Sequence, residues 1–321
     1  MDVNPQTVLE DYNSNCIDKS TAIILLTSII ENYDEEKSRL EAITILNTLK
    51  IKTKTLFELF ENTILSDSSE IIRNAAAKYI STHFLEISLP VFQWVIQHET
   101  SYYCLITVIN SLAKIKSSES ESILFKQLKK IRNINYLNVD KGYRNKRYQK
   151  ALKSYFKRNP INILSHKQLA AILINFLTIK TLIEEIPNVY FELDEKHLVI
   201  NKLDLSDYLE FEVKGTPWGW KNNIRSLSQI TGLSNLKHLK TLDLSNNQIG
   251  DLNGINELKN LTRLDLSNNQ IIDLKNLEYI NQLSNLQFLD LRGNSISKNV
   301  KNKDFNPSCR VLLNRYSNKS L

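Results

Sequence analysis

The 321 residues, 42 % hydrophobic and 24 % charged, suffice for two domains, each with its own apolar core. Three scattered cysteines without a CxxC pair, and only 7 glycines, exclude a disulfide scaffold, a zinc knuckle and a collagen-like chain. The net charge of +6 is unevenly placed: residues 1–125 carry 10 basic and 17 acidic side chains, 126–167 carry 13 and 1, and 168–321 carry 18 and 17.

The opening MDVNPQTVLED is acidic and polar, which predicts no secretory leader. The longest apolar runs, Ala22–Ile30 and Leu169–Ile179, are shorter than the roughly 18 residues of a membrane span. Cys16 and Cys104 lie in apolar helical patterns and are expected to be buried thiols, so a reducing, cytoplasmic setting is expected.

From residue 18 to about 133 the apolar positions recur at three and four residues, which predicts helices over Ser20–Glu31, Glu35–Leu49, Thr55–Leu65, Ser69–His83, Leu89–His98, Tyr102–Ile115 and Glu119–Ile131. Arg39, Ala42 and Leu46 recur as Arg73, Ala76 and Ile80, each 34 residues on, and Asp34 and Asp67 precede the two copies. Asp67 with Glu70 three residues later reads as a helix N-terminal cap. This acid, Arg and Ala pattern in a helix pair resembles HEAT-like repeats, a resemblance that covers about 18–133. It implies an α-helical solenoid in which Asp34, Arg39, Asp67 and Arg73 bond neighbouring repeats rather than a ligand. The third pair lacks the Arg and the Ala.

Residues 134–190 read as a basic helical junction. One helix carries Tyr148, Ala151, Leu152, Tyr155 and Phe156 on an apolar stripe, with Arg144, Lys146, Arg147, Lys150, Lys153, Lys157 and Arg158 around it. The stripe predicts packing, with the cations solvated or neutralising the acidic repeats; the alternative is an anion-binding patch for nucleic acid or another anionic surface. Two short helices are expected at Ser165–Phe176 and Ile179–Ile186.

Three nine-residue segments then repeat: LKTLDLSNN (239–247), LTRLDLSNN (261–269) and LQFLDLRGN (286–294). The steps between their last asparagines are 22 and 25 residues, and Ile249, Ile271 and Ile296 follow at a fixed offset. Leu242 and Leu244, with Leu264, Leu266, Leu289 and Leu291, alternate inward from a short strand, and Asn247, Asn269 and Asn294 turn inward to satisfy backbone groups of the neighbouring coil. An earlier, divergent coil pairs INKLDLS (200–206) with Asn222 and Ile224 and carries an aromatic insertion over 206–221. The pattern resembles leucine-rich repeats of the 22-residue class found in phosphatase-regulator-like proteins. The resemblance implies an α/β solenoid over 191–300 with a short parallel sheet, closed by a cap and tail over 301–321.

Side chains between the inward leucines form rows on the concave face: Lys202, Thr241, Arg263 and Phe288; Asp204, Asp243, Asp265 and Asp290; Ser206, Ser245, Ser267 and Arg292. The aspartates place like charges about 4.8 Å apart, a cost unless cations or hydroxyls balance it. The resemblance makes Lys202, Asp204, Thr241, Asp243, Arg263, Asp265, Phe288, Asp290 and Arg292 candidate partner contacts. Trp218 and Trp220 in the insertion read either as a plug on the first coil or as partner anchors.

No HExxH, GxSxG, GxxxxGK[ST] or GxGxxG occurs, and the five histidines are scattered. The expectation is a non-enzymatic protein-interaction scaffold with no catalytic residue, cofactor or metal site, and protein partners. Nucleic-acid binding through 141–158 is the alternative.

Overall fold

The computed structural model describes residues 4–133, 150, 153–154, 157, 164–194, 196–207 and 222–314. The chain divides into two compact units, 1–128 with 164–170 and 129–163 with 171–321.

The first unit is helical: α1 Pro5–Asn13, α2 Lys19–Asn32, α3 Glu36–Thr48, α4 Lys54–Ser66, α5 Glu70–His83, α6 Leu89–His98, α7 Tyr102–Ile115 and α8 Ser118–Asn133. The predicted helices appear within one to two residues of their expected ends; α1 was not foreseen. Side-chain caps start several of them, with Asp18, Thr53 and Ser69 accepting backbone N–H groups of α2, α4 and α5. Asp67 is not the α5 cap; it closes α4 and accepts the Ser69 N–H at 2.9 Å. Helices pair α2 with α3, α4 with α5 and α6 with α7. The second members pack in series, α3 on α5 on α7, over buried Leu46, Ala76, Ile80 and Leu112.

A chain of charge-assisted bonds runs along the loops between paired helices. Arg39 Nε donates to Ile30 O at 2.9 Å while its guanidinium pairs with the Asp67 carboxylate of the next helix pair. Arg73 repeats the geometry: Nη1 donates to Asp67 O at 2.8 Å, and Nε and Nη2 donate to Glu99 at 2.7 and 2.9 Å. Glu99 Oε1 then accepts the Thr100 and Ser101 N–H groups, both at 2.8 Å, ahead of α7. Glu99 is therefore the counterpart of Asp67 in the third pair, whose second helix lacks the Arg and the Ala. Burial alone would raise the Glu99 carboxyl. The Arg73 guanidinium and the two N–H donors overcome that and hold it at about 2.

Cys104 is fully buried beside Glu99, and burial pushes its thiol well up. Cys16, expected inside, is exposed just beyond the end of α1. The two short helices expected before Pro187 are one, α9 His166–Glu185. No breaker separates Phe176 from Ile179, and Thr178 Oγ1 donates to Ile174 O at 2.8 Å without leaving the helix.

In the second unit the sheet runs β1-β2-β3-β4-β5-β6, from Tyr190–Asp194, Val199–Asp204, Thr241–Asp243, Arg263–Asp265 and Phe288–Asp290 to Arg310–Leu312. β1 and β2 are antiparallel, and every later pair is parallel. β1 and β6 extend the predicted sheet at both edges. A short helix, α10 Asn276–Asn281, occupies the longer, 25-residue step. Among the described residues no helix is long and apolar enough to cross a membrane.

Because the Glu99 carboxyl is depressed in the folded chain, its contribution is complete above the ordinary carboxylate range near pH 4.5 and disappears as pH falls toward 2. E99Q should cost about 2–3 kcal/mol at pH 7, with the gap from wild type closing toward pH 2. Urea unfolding of both chains at pH 7 and pH 2.5 checks this; an equal gap at both pH values contradicts it.

Candidate protein-interaction face

Leu203, Leu242, Leu264 and Leu289 stack in register and are fully buried, as are Leu205, Leu244, Leu266 and Leu291 at the strand ends. Alternation then sends their neighbours to the other face. Five strands align Lys202, Thr241, Arg263, Phe288 and Arg310 in one row, and Asp204, Asp243, Asp265, Asp290 and Leu312 in the next. The rows expected on β2 to β5 are brought together as predicted, and β6 adds Arg310 and Leu312. Glu192 and Tyr190 on β1 complete them, opposite Lys202 and Asp204.

The aspartate row is mainly a strand terminator. Oδ1 of Asp204, Asp243, Asp265 and Asp290 accepts the N–H two residues on, from Ser206, Ser245, Ser267 and Arg292, at 2.9–3.0 Å. An aspartate bent back on its own backbone makes a turn and ends the strand after three residues. The expected balance by hydroxyls and cations appears unevenly. Ser267 Oγ donates to Asp265 at 2.7 Å, and Arg292 Nε and Nη2 hold Asp290 at 3.0 and 2.6 Å. Asp243 lies between Asp204 and Asp265. Burial pushes its carboxyl up, the Ser245 bonds pull it down, and the two neighbouring aspartates add to the rise. These four aspartates and Arg292 thus have structural duties that the sequence did not reveal, leaving Lys202, Thr241, Arg263, Phe288 and Arg310 as the row without local capping roles.

Buried asparagines fix the register that builds these rows. Asn269 Nδ2 donates to Leu244 O, Leu266 O and Ser267 O at 2.9, 3.1 and 3.3 Å, and its Oδ1 accepts Ile249 N at 2.9 Å. Asn247 and Asn294 repeat the set, accepting Ile224 N and Ile271 N at 3.1 and 3.0 Å. Asn222 does so in the divergent coil, accepting Asn188 N at 2.9 Å. Three further asparagines were missed. Asn175, on α9, accepts Ile200 N at 2.8 Å and so bonds β2 from a helix. On the opposite side Asn260 and Asn285 donate to Lys237 O and Lys259 O at 2.7 and 2.8 Å, a second ladder hidden in the repeated Asn-Leu of LKNL and LSNL.

The residue before each of the last three ladder asparagines is left-handed: Asn246, Asn268 and Gly293 have φ of 58°, 55° and 77°. Asn268 Nδ2 donates to Asn246 Oδ1 at 2.8 Å. At Gly293 a Cβ would strike the Asn268 carboxamide and lie 2.8 Å from Asn268 Cα and N, so the glycine is required twice, by φ and by close approach.

On the outward row, Lys202 Nζ is 3.2 Å from Glu192 Oε1 and 5.5 Å from the Tyr190 ring centroid. The Arg263 guanidinium sits 3.8 Å from the centroid of Phe288. Trp218, Trp220, Arg144, Lys146 and Arg147 lie outside the described residues. Lys150, Lys153 and Lys157 are helical and exposed. Among the described residues no cluster of His, Cys, Asp and Glu is placed to hold a metal ion.

Residues 220–271 match the leucine rich repeat family, and residues 259–302 match the family of leucine rich repeats in two copies. Together the two matches cover residues 220–302. No curated protein matches the chain. The matched segment spans β3, β4 and β5 with the ladder asparagines Asn222, Asn247, Asn269 and Asn294; β2 lies before it and β6 beyond it.

D243N keeps an oxygen for the Ser245 N–H and removes one charge from the row. A carboxyl raised in the fold weakens the folded state once pH exceeds its titration, so D243N should gain about 0.5–1 kcal/mol at pH 7 and nothing at pH 3. G293A should lose about 2 kcal/mol or more. Thermal denaturation at both pH values checks the first, and a G293A midpoint equal to wild type contradicts the second.

Proposed function

We propose that this chain is a non-enzymatic protein-interaction scaffold, a HEAT-like helical solenoid followed by a leucine-rich-repeat solenoid, acting in the cytoplasm and docking a protein on the outward face of its sheet. The carrying observation is the row Lys202, Thr241, Arg263, Phe288 and Arg310. Five strands present it in register, and the fold's own turns use the neighbouring aspartates instead. Leucine-rich repeats commonly mediate protein contacts, and no motif on the chain argues for chemistry. Arg and aromatic side chains at the centre of a face are the residue types that carry binding energy in protein interfaces.

A second reading, binding of nucleic acid or another anionic surface through 141–158, is favoured by the exposed helical lysines Lys150, Lys153 and Lys157 within the most basic stretch of the chain. Affinity capture from native lysate at about 0.15 M salt, with and without nuclease, separates the two. T241Y/F288A fills one position of the row and empties another without touching the core. Wild type should retain a defined protein set after nuclease, and T241Y/F288A should lose most of it. Proteins that leave with the digested nucleic acid, or that the double variant still holds, contradict the docking reading.

A further inference from the structure

The outward row is charged differently at its two ends. Near β1 its cation is matched, Lys202 against Glu192. Near β6 it is not. Arg263 and Arg310 flank Phe288 in register, both are exposed, and neither enters an ion pair among the described residues. The second row changes in step: acid at Asp204, Asp243 and Asp265, acid neutralised by Arg292 at Asp290, and Leu312 in β6. The face thus runs from net acidic at β2 and β3 to net basic and apolar at β5 and β6.

We infer that the β4–β6 end binds an acidic peptide segment of a partner protein, with two carboxylates about four residues apart and an apolar side chain midway between them, all on one face of an extended chain. This rests on the docking reading above and names the chemistry of its partner. Strands about 4.8 Å apart place the two arginine positions roughly 10 Å from each other; residues four apart in an extended chain share a face and span about 13 Å, a difference that the long Arg and Glu side chains take up. Each guanidinium offers a planar fork that matches a carboxylate. Arg263 is already laid on the Phe288 ring at 3.8 Å from its centroid, so it surrenders less freedom on binding than an unsupported side chain. Phe288, half-buried between the two, gives the central apolar side chain its contact. Asp265, the acid nearest Arg263, is engaged by the Ser267 N–H and hydroxyl at 3.0 and 2.7 Å.

The test uses the full chain and three fluorescein-labelled peptides, Gly-Glu-Ser-Leu-Ser-Glu-Gly and its Gln and Lys counterparts, titrated by anisotropy. The Glu peptide should bind at least about tenfold more tightly than either counterpart. R263Q/R310Q, whose exposed side chains support no core, should keep the wild-type thermal midpoint and lose at least about tenfold in affinity for it. The proposal is overturned if the Glu peptide fails to saturate, if the Gln or Lys peptide binds as well, or if R263Q/R310Q binds the Glu peptide as wild type does. A protein set captured by wild type, lost from T241Y/F288A but retained by R263Q/R310Q, overturns this inference and leaves the docking reading standing.

Discussion

A side-chain amide buried between two coils of chain can make bonds that no other residue type supplies at once: two N–H donors and an acceptor, uncharged, on a short stem. At each ladder asparagine of the sheet region, carbonyls at the strand ends of its own and the preceding coil, and one N–H of the preceding coil, have no backbone partner. Asn222, Asn247, Asn269 and Asn294 satisfy both. Without them every coil would bury several unpaired polar groups at about 1–3 kcal/mol each. With them the leucines of successive strands meet in register, and the outward rows follow from strand alternation. Asn175 adds one bond of this kind from a helix, accepting the Ile200 N–H of β2 while its amide donates to Ala171 O of its own helix.

The helical unit meets a comparable need with charge. Ile30 O, Arg39, Asp67, Arg73 and Glu99 form one continuous run of bonds through the loops of three helix pairs. Asp67 serves twice, its carboxylate to Arg39 and its carbonyl to Arg73. These groups are mostly buried, so removing one strands its partner in a low-dielectric site. That cost ties the spacing of the helix pairs to a few side chains.

Much of this was legible in the sequence because it is periodic. Leucines two apart, asparagines 22 and 25 residues apart and arginines 34 residues apart gave the inward faces, the ladder and the helix pairing. What escaped notice breaks the period. Glu99 replaces Asp67 by a longer acid in a pair whose helix lacks the Arg. Asn175 makes its one bond to β2 from a helix. β1 and β6 close the sheet with sequences unlike the repeat, since an edge strand has only one neighbour to match. The aspartates of the candidate face were seen as a row of charge, but the turn each makes with the N–H two residues on depends on backbone geometry that residue order alone does not show. The face therefore narrowed from nine candidate contacts toward the row whose side chains the fold does not itself consume.

The function proposed for that face depends on its strands being held in register by something other than the side chains displayed on it, and the asparagine ladder supplies that. The most direct measurement is the unfolding free energy of N269L, which keeps the branching of the side chain while deleting all four bonds of one rung. The account predicts a loss of about 3 kcal/mol or more in urea unfolding, as buried carbonyls and the Ile249 N–H are left unpaired. A loss under about 1 kcal/mol would show that leucine packing alone sets the register, and would contradict the central role given to the ladder.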